Sequence, residues 1–308
     1  MVMKRKSILA TMGCLAVFLL SVSFLYAQGQ TQVQVGIEQL AENLYMLQDS
    51  KRMGNTVLLT GEDGVLMVDT KGGESVPKLF TKIAELGQKP IRFVITTHWH
   101  YDHVGGNETV AKTGATIIAH ENVRKQMGMA HNMKMLKVKV PPAPETVKPL
   151  LTYTKKVTLH INGEDVSVFH VAPGHTDGDS VVYFPNANVI HMGDLYFEGF
   201  YPYIGIYSGG SIDGMIKVIH EILPMIDEKT KVVPGHGPLS NKARLKEYLS
   251  MLTAIRDNVN RLMKEGKTME QVVAAKPTQA FDEKWGKGFL PPDRFAVLVY
   301  MDLSPELP

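Results

Sequence analysis

His98-Trp99-His100-Tyr101-Asp102-His103, followed by Val104, Gly105 and Gly106, is the stretch that decides the fold. Three imidazoles and a carboxylate fall within six positions, directly after the apolar run Ile91, Phe93, Val94, Ile95. Neutral imidazole is a preferred zinc ligand, and carboxylate oxygen binds the same ion at similar distance. On a tight loop at the end of a buried strand, His98 and His100 can point to one side and Asp102 and His103 to another. One segment then seeds two adjacent metal sites. Chance placement of the pattern in a chain with 11 histidines is on the order of one in a thousand.

Ligands of the same kind lie further on. His175 sits in Pro-Gly-His-Thr-Asp-Gly-Asp-Ser, Asp194 in His-Met-Gly-Asp-Leu, and His236 in Pro-Gly-His-Gly. Each follows or ends an apolar run and has a glycine beside it, which lets the backbone turn sharply toward a shared point.

Residues 1–27 have the composition of a secretory signal peptide. Lys4, Arg5 and Lys6 form a basic start, Ile8 to Leu25 an apolar core, and Leu25-Tyr26-Ala27 a cleavage site. Export to the periplasm or medium after cleavage near Ala27 is expected, with a retained membrane anchor as the alternative. The segment holds three of the 33 basic residues and none of the 31 acidic ones, so the mature chain carries 30 against 31, a net −1. That balance offers no footprint for a nucleic acid. Cys14, the only cysteine, leaves with the segment and lacks the leucine three places earlier that lipid attachment needs. The mature protein therefore has no disulfide and no thiolate ligand, and its stability rests on a packed core.

The rest of the chain interleaves strands and helices. Residues 28–36 are polar and expected to fray. Strands are expected at 43–48, 56–60, 65–68, 91–96, 115–119, 157–161, 166–171, 181–184, 189–191 and 232–233. Asn162-Gly163 marks a hairpin turn. Helices are expected at 75–86, after Gly106, from 121, and over 212–226. The Met-, Lys- and Pro-rich stretch 127–150 predicts a loop or broken helix, with Met127, Met129, Met133 and Met135 on a surface helix or an adaptable lid. Beyond Asn241, Leu245, Tyr248, Leu249, Leu252, Ile255, Val259 and Leu262 form one helical stripe. The pattern predicts two sheets covered by helices, every ligand lying in a loop after a strand.

The ordered set HWHYDHVGG, PGHTDGDS, HMGDLYF and PGHG resembles the metallo-β-lactamase-fold hydrolase superfamily over about residues 36–240. The resemblance implies an α+β fold, a four-layer αββα sandwich over 28–240, with a helical C-terminal extension over 241–308 packed on the same domain. It places His98, His100 and His175 on a first metal and Asp102, His103 and His236 on a second. Asp194 matches the carboxylate that bridges both. Members that use a cysteine at that position, the β-lactamases, carry arginine where His103 stands and a lysine where this chain has Phe197. The ligand set looks instead like that of glyoxalase II and lactonases, whereas HTDGDSVVYFP is more β-lactamase-like.

The resemblance implies two zinc ions, with iron or manganese able to take one or both sites. Two metals about 3.5–4 Å apart share a hydroxide and polarise a carbonyl, and binding lowers the pKa of water to near 7. Asp102 is the expected catalytic group, orienting the hydroxide and passing a proton to the leaving atom. The expected activity is hydrolysis of an ester, lactone, thioester or cyclic amide in a small-molecule substrate. β-Lactam hydrolysis is the alternative. A mononuclear iron oxidoreductase of the persulfide dioxygenase kind ranks lower, because the second ligand set is complete. A nuclease of the RNase Z kind shares the ligands, but export and the near-neutral charge argue against it, and a non-catalytic binding module is the least expected, since clustered ligands are costly to keep without a metal. Asp69, ending a strand beside the site, is a candidate orienter of a ligand imidazole. Asp177 and Asp179 are candidate supports for the His175 loop. Tyr196, Phe197, Phe200, Tyr201, Tyr203 and Tyr207 are either a pocket wall or core filler. If the loop alternates, Trp99 and Tyr101 point away from their ligand neighbours, and either one of them lines the site mouth or both simply pack. His120, His131, His160, His170, His191 and His220 are expected to be structural or exposed.

Overall fold

Alternation of side chains along the strands builds the layers. In the computed structural model, which describes residues 32–304 apart from 87, 88, 134, 136 and 172, the first strands are β1 (Val35–Ala41), β2 (Leu44–Asp49), β3 (Thr56–Leu59), β4 (Val65–Val68), β5 (Ile91–Thr96) and β6 (Thr116–His120). The hairpin β7 (His131–Met133) and β8 (Val138–Val140) follows, then β9 (Leu151–Tyr153). One sheet has the order β1-β2-β3-β4-β5-β6-β9. It is antiparallel up to β4 and parallel from β4 through β9. The second sheet runs β10 (Lys156–Ile161), β11 (Glu164–His170), β12 (Ser180–Phe184), β13 (Val189–His191), β14 (Lys231–Val233) and β15 (Ser240–Asn241). Within it only β13 and β14 pair in parallel.

Val57, Leu59, Leu66, Val68 and Ile95 face inward and meet Val166, Val168, Val182, Phe184 and Val189 of the other sheet. Their sequence neighbours Leu58, Val65, Met67 and Val94 face outward and are covered by Leu79 and Ile83 of helix α1 (Ser75–Glu85). On the far side Val181, Ile190 and Val232 face outward and are covered by helices. Period-two burial on both faces of both sheets is what a sandwich of four layers requires. The fold is α+β, αββα, with a helical C-terminal extension.

The remaining helices are α2 (Tyr101–Val104), α3 (Asn107–Ala111), α4 (Glu121–Met127), α5 (Ile212–Ile222), α6 (Lys242–Lys264), α7 (Met269–Ala274), α8 (Asp282–Trp285) and α9 (Pro292–Leu303). Asn241 caps α6 by accepting from the Arg244 amide at 3.1 Å. The stripe Leu245, Tyr248, Leu252, Ile255 and Val259 then packs with Met215 and Ile219 of α5 and with Phe295 and Val299 of α9. Among the described residues no helix is long and apolar enough to cross a membrane. The segment 1–27 lies outside the described residues.

Several local expectations are corrected. Val35 and Gly36 do not fray but open β1, paired with Asp49 and Gln48. The stretch 127–150, expected as a loop or broken helix, contains the β7–β8 hairpin and a 3₁₀ turn at Glu145–Val147, and strand β9 follows it directly. Helix ends at Met127, so Met129, Met133 and Met135 are not on a surface helix. Within the tight strand-end loop, Asp102 and His103 lie on a short helical turn, α2.

Phe184 is fully buried between the sheets. Phe184→Ala is expected to cost about 3–5 kcal/mol through lost burial and the cavity left behind. Urea unfolding checks this, and the fall in midpoint should appear with and without added metal.

Candidate metal centre

The carboxyl ends of the parallel strands deliver the site. β5 ends at Thr96, the chain bends at Thr97 and His98, and after the extended His100 the turn α2 carries Asp102 and His103. Asp194 sits in the 3₁₀ turn Gly193–Leu195 after β13, and His236 follows β14, its parallel partner. The two approach so closely that a Cβ on Gly235 would lie 2.0 Å from Asp194 Oδ1. His175 lies in the β11–β12 connection. There Asp179 accepts from the amides of His175 at 2.6 Å and Thr176 at 2.9 Å, and from the Thr176 hydroxyl. Asp179 thus holds the loop. Asp177 instead ties it to α4, accepting from Gln126 Nε2 at 2.9 Å.

All seven sequence-predicted residues converge. Ligating atoms of His98, His100, His175 and Asp194 lie within 4.8 Å of one another, as do those of Asp102, His103 and His236. Asp194 stands between the sets. Its Oδ2 is 3.7 Å from His98 Nε2 and 3.4 Å from His175 Nε2. Its Oδ1 is 3.1 Å from His103 Nε2 and 3.4 Å from His236 Nε2. His175 Nε2 approaches His100 Nδ1 at 2.8 Å, and His103 Nε2 approaches His236 Nε2 at 3.3 Å. Asp102 Oδ2 completes the second set, 3.1 Å from His236 Nε2.

The outer nitrogens fix which inner ones are free. His175 Nδ1–H donates to the Tyr203 carbonyl and His236 Nδ1–H to the Arg52 carbonyl, both at 2.8 Å. A carbonyl can only accept, so Nδ1 carries a proton and Nε2 is the nitrogen left facing the centre. Asp69 does the same for His103, its Oδ2 lying 2.7 Å from Nδ1. Asp69 also accepts from the Thr97 amide and hydroxyl at 2.8 and 2.7 Å. With its proton given to Asp69, Thr97 Oγ1 is an acceptor for His98 Nδ1, 3.1 Å away. Asp69 therefore orients one imidazole of each set. Buried His98 Nε2 and Asp194 Oδ1 find no hydrogen-bond partner. Inward lone pairs and orphaned acceptors are the donor set a divalent cation satisfies, so the residues fit a metal pair.

The electrostatics agree. Burial, then the neighbouring imidazoles, holds His98 well below its usual range, and burial with the His175 imidazole pushes His100 down to about 3. Burial opposes charge on Asp102 and Asp194, yet the surrounding imidazoles keep both carboxyls well below the usual carboxylate range. Burial likewise opposes charge on His103 and His236, but Asp194 and Asp102 carry His103 well above its usual value and His236 up to about 9. Without metal the second set thus stores protons, which an incoming cation displaces.

One supporting residue is absent from the sequence reading. Lys71 is fully buried, its Nζ donating to the Gly54 carbonyl at 2.7 Å and lying 3.3 Å from Asp49 Oδ2. Burial pulls it down to about 8, against the pull of Asp49. It clamps the β2–β3 connection, which supplies the Arg52 carbonyl to His236. In the same segment Asn55 Nδ2 donates to the carbonyls of Pro234 and Gly237, each at 2.9 Å. Gly54 presses on His103 so tightly that a Cβ there would lie 2.3 Å from the ring. The only sequence trace of this is a lysine two residues after the strand-end Asp69.

A cavity of about 390 Å³ opens over the centre, lined by His100, Asp102, His175, Asp194 and His236 among others. The aromatic cluster divides over it. Phe197, Phe200 and Tyr203 line the cavity, Tyr196 and Tyr201 are fully buried in the core, and Tyr207 is exposed. Trp99 and Tyr101 both line it, the first buried and the second 59% exposed. The other histidines are structural or exposed. His120 stacks on His170 at 3.7 Å and His131 on Trp99 at 4.0 Å. His191 is buried, and His160 is exposed beside Asp165.

This fold and this ligand geometry define a metallohydrolase class, and comparison with known proteins agrees. The sequence model of the metallo-beta-lactamase superfamily matches residues 50–242. The chain belongs to that superfamily and is a metal-dependent hydrolase. It is 24% identical over 246 residues to a metallo-beta-lactamase type 2 of Elizabethkingia meningoseptica, covering 77% of this chain and 92% of the relative. It is 28% identical over 199 residues to the probable metallo-hydrolase YqgX of Bacillus subtilis (strain 168), covering 60% and 85%. Among solved structures, a metallo-beta-lactamase from Pontibacter korlensis superposes with a TM-score of 0.57 at 22% identity, over 71% of this chain and 99% of that one. A stereoselective inverting sec-alkylsulfatase from Pseudomonas sp. superposes with a TM-score of 0.65 at 16% identity, over 87% of this chain and 50% of that one.

Asp69→Asn keeps the shape but removes the acceptor that fixes His103. It is expected to weaken metal binding about 10–100-fold, measured by competition with a chromophoric chelator, with an unchanged circular dichroism spectrum. Lys71→Met leaves Asp49 buried and unpaired, and is expected to destabilise the protein by about 3–5 kcal/mol, measured by denaturant unfolding.

Proposed function

We propose that this chain is an exported binuclear zinc hydrolase that cleaves an ester, lactone, thioester or cyclic amide in a small-molecule substrate. The observation that carries the reading is Asp194, whose two oxygens face two separate sets of ligating atoms. His98, His100 and His175 hold one zinc, and Asp102, His103 and His236 the other; iron or manganese suits the same nitrogen and oxygen donors. A bound zinc pair supplies a water acidified to near neutral pH and a Lewis acid for the substrate carbonyl.

The chain's own groups do the rest. Asp102 is ionised and its side chain is 30% exposed, opening onto the cavity. Its carboxylate takes the proton of the attacking water and returns it to the leaving atom. His103 is held by Asp69 and His236 by the Arg52 carbonyl, so neither ring turns as charge develops. The basic and apolar leader at 1–27 supports export. The near-neutral charge beyond it supports a small molecule rather than a nucleic acid as partner.

β-Lactam hydrolysis is the second reading, favoured by the likeness to named metallo-beta-lactamases. Asp194 and Phe197, where the cysteine-dependent enzymes have cysteine and lysine, weigh against it.

Metal analysis of the mature protein should give two zinc ions per chain. On a panel of esters, lactones, thioesters and nitrocefin, His100→Ala should cost at least about 100-fold in kcat/KM, of the order of losing about 3 kcal/mol of transition-state stabilisation. One iron per chain, or equal turnover by wild type and His100→Ala, would sink the reading. Nitrocefin as the best substrate would promote the second.

A further inference from the structure

The cavity over the metal centre has walls that metal chemistry does not require. The β7–β8 hairpin pairs with neither main sheet. It is seated on the core by Met133 and Val140, which pack with Trp99, Val123 and Met127, and by the Trp99–His131 stack at 4.0 Å. From the far end of the sequence, the connection between α8 and α9 brings Phe289 to the same cavity. Val138 is 45% exposed and Phe289 57%. Exposed large apolar side chains gathered at the mouth of a cavity mark a binding surface, because each forgoes burial that folding would otherwise use. Deeper in, Phe200 and Trp99 continue the apolar wall to within one residue of a ligand.

On the hydrolase reading above, we infer that the natural substrate carries an apolar group of medium length, alkyl or aryl, beside its scissile carbonyl. That group lies between the hairpin side chains Met133, Val138 and Val140 and the ring of Phe289. Small, polar acyl groups leave these walls wet and are poor substrates. The hairpin and Phe289 are specificity-determining; they hold no metal and touch no reacting atom.

The slope of rate and binding against chain length tests this. With zinc-loaded protein and 4-nitrophenyl esters from acetate to decanoate, each kept below its micelle concentration, kcat/KM should rise about fourfold per methylene until the cavity is filled, the equivalent of about 0.8 kcal/mol per CH₂. Val138→Ser with Phe289→Ser should flatten that slope and lower the decanoate-to-acetate ratio. Binding of n-alkanols from butanol to decanol provides a readout without turnover. It is followed by the fluorescence of Trp99 in a Trp285→Phe background, the chain having two tryptophans. The same dependence on length, lost in the double serine variant, is expected there. Length-dependent alkanol binding with none of the esters, lactones, thioesters or nitrocefin cleaved would uphold the apolar site and overturn the proposed carbonyl hydrolysis. Ester cleavage with neither kcat/KM nor alkanol affinity depending on length would overturn the apolar site and leave the hydrolase reading standing.

Discussion

Ring nitrogens crowded against one another inside the protein are the constraint on which the rest depends. His175 Nε2 faces His100 Nδ1 at 2.8 Å, and His103 Nε2 faces His236 Nε2 at 3.3 Å. An unsatisfied buried polar group costs about 1–3 kcal/mol, and here several share one small volume. In the second set Asp194 and Asp102 raise His103 and His236, so without a cation protons compete for the same inward nitrogens. In the first set a neutral His100 can donate its Nδ1–H to His175 Nε2, but buried His98 Nε2 finds no partner. A cation is the common answer to both, so metal binding contributes folding free energy as well as chemistry.

Holding that arrangement explains features otherwise without purpose. Asp69 is buried with φ of +58° and uses both oxygens on Thr97 and His103. Lys71 accepts the cost of burial to clamp Gly54 against His103 and the Arg52 carbonyl against His236. Burying an ion pair is no route to stability in itself, and its return here is geometric. The carbonyl of Arg52 and the ring of His103 must sit within tenths of an ångström of fixed places, and the β2–β3 connection has no secondary structure of its own to hold it.

The sequence made the ligands legible because they are polar groups placed beside glycine at the ends of apolar strands. The layers were legible because Val57, Leu59, Leu66, Val68 and Phe184 alternate with outward-facing neighbours. What it hid was decided by distant partners. Lys71 meets Asp49 and Gly54 only after β2, β3 and β4 align. The aromatic cluster lies on irregular backbone, so no period told Phe197, Phe200 and Tyr203, which face the cavity, from Tyr196 and Tyr201, which face the core. The β7–β8 hairpin did carry a trace. Lys137-Val138-Lys139-Val140 alternates with period two, but the prolines around it argue for a loop, and a pair of three-residue strands has little propensity to weigh against them.

The carboxylate at position 194 also bears on the residue at 103. A thiolate offers one ligand atom, whereas Asp194 offers Oδ2 to the first set and Oδ1 to the second, 3.1 Å from His103 Nε2. That second oxygen would serve as a ligand only where an imidazole able to give up its inner proton, not a guanidinium, stands opposite it. The imidazole in turn serves only if its outer nitrogen is protonated, and Asp69 sees to that. Asp69, His103 and Asp194 are thus one unit. The centre's ligand chemistry is fixed by this unit, and its choice of substrate is left to walls contributed by the hairpin and by Phe289.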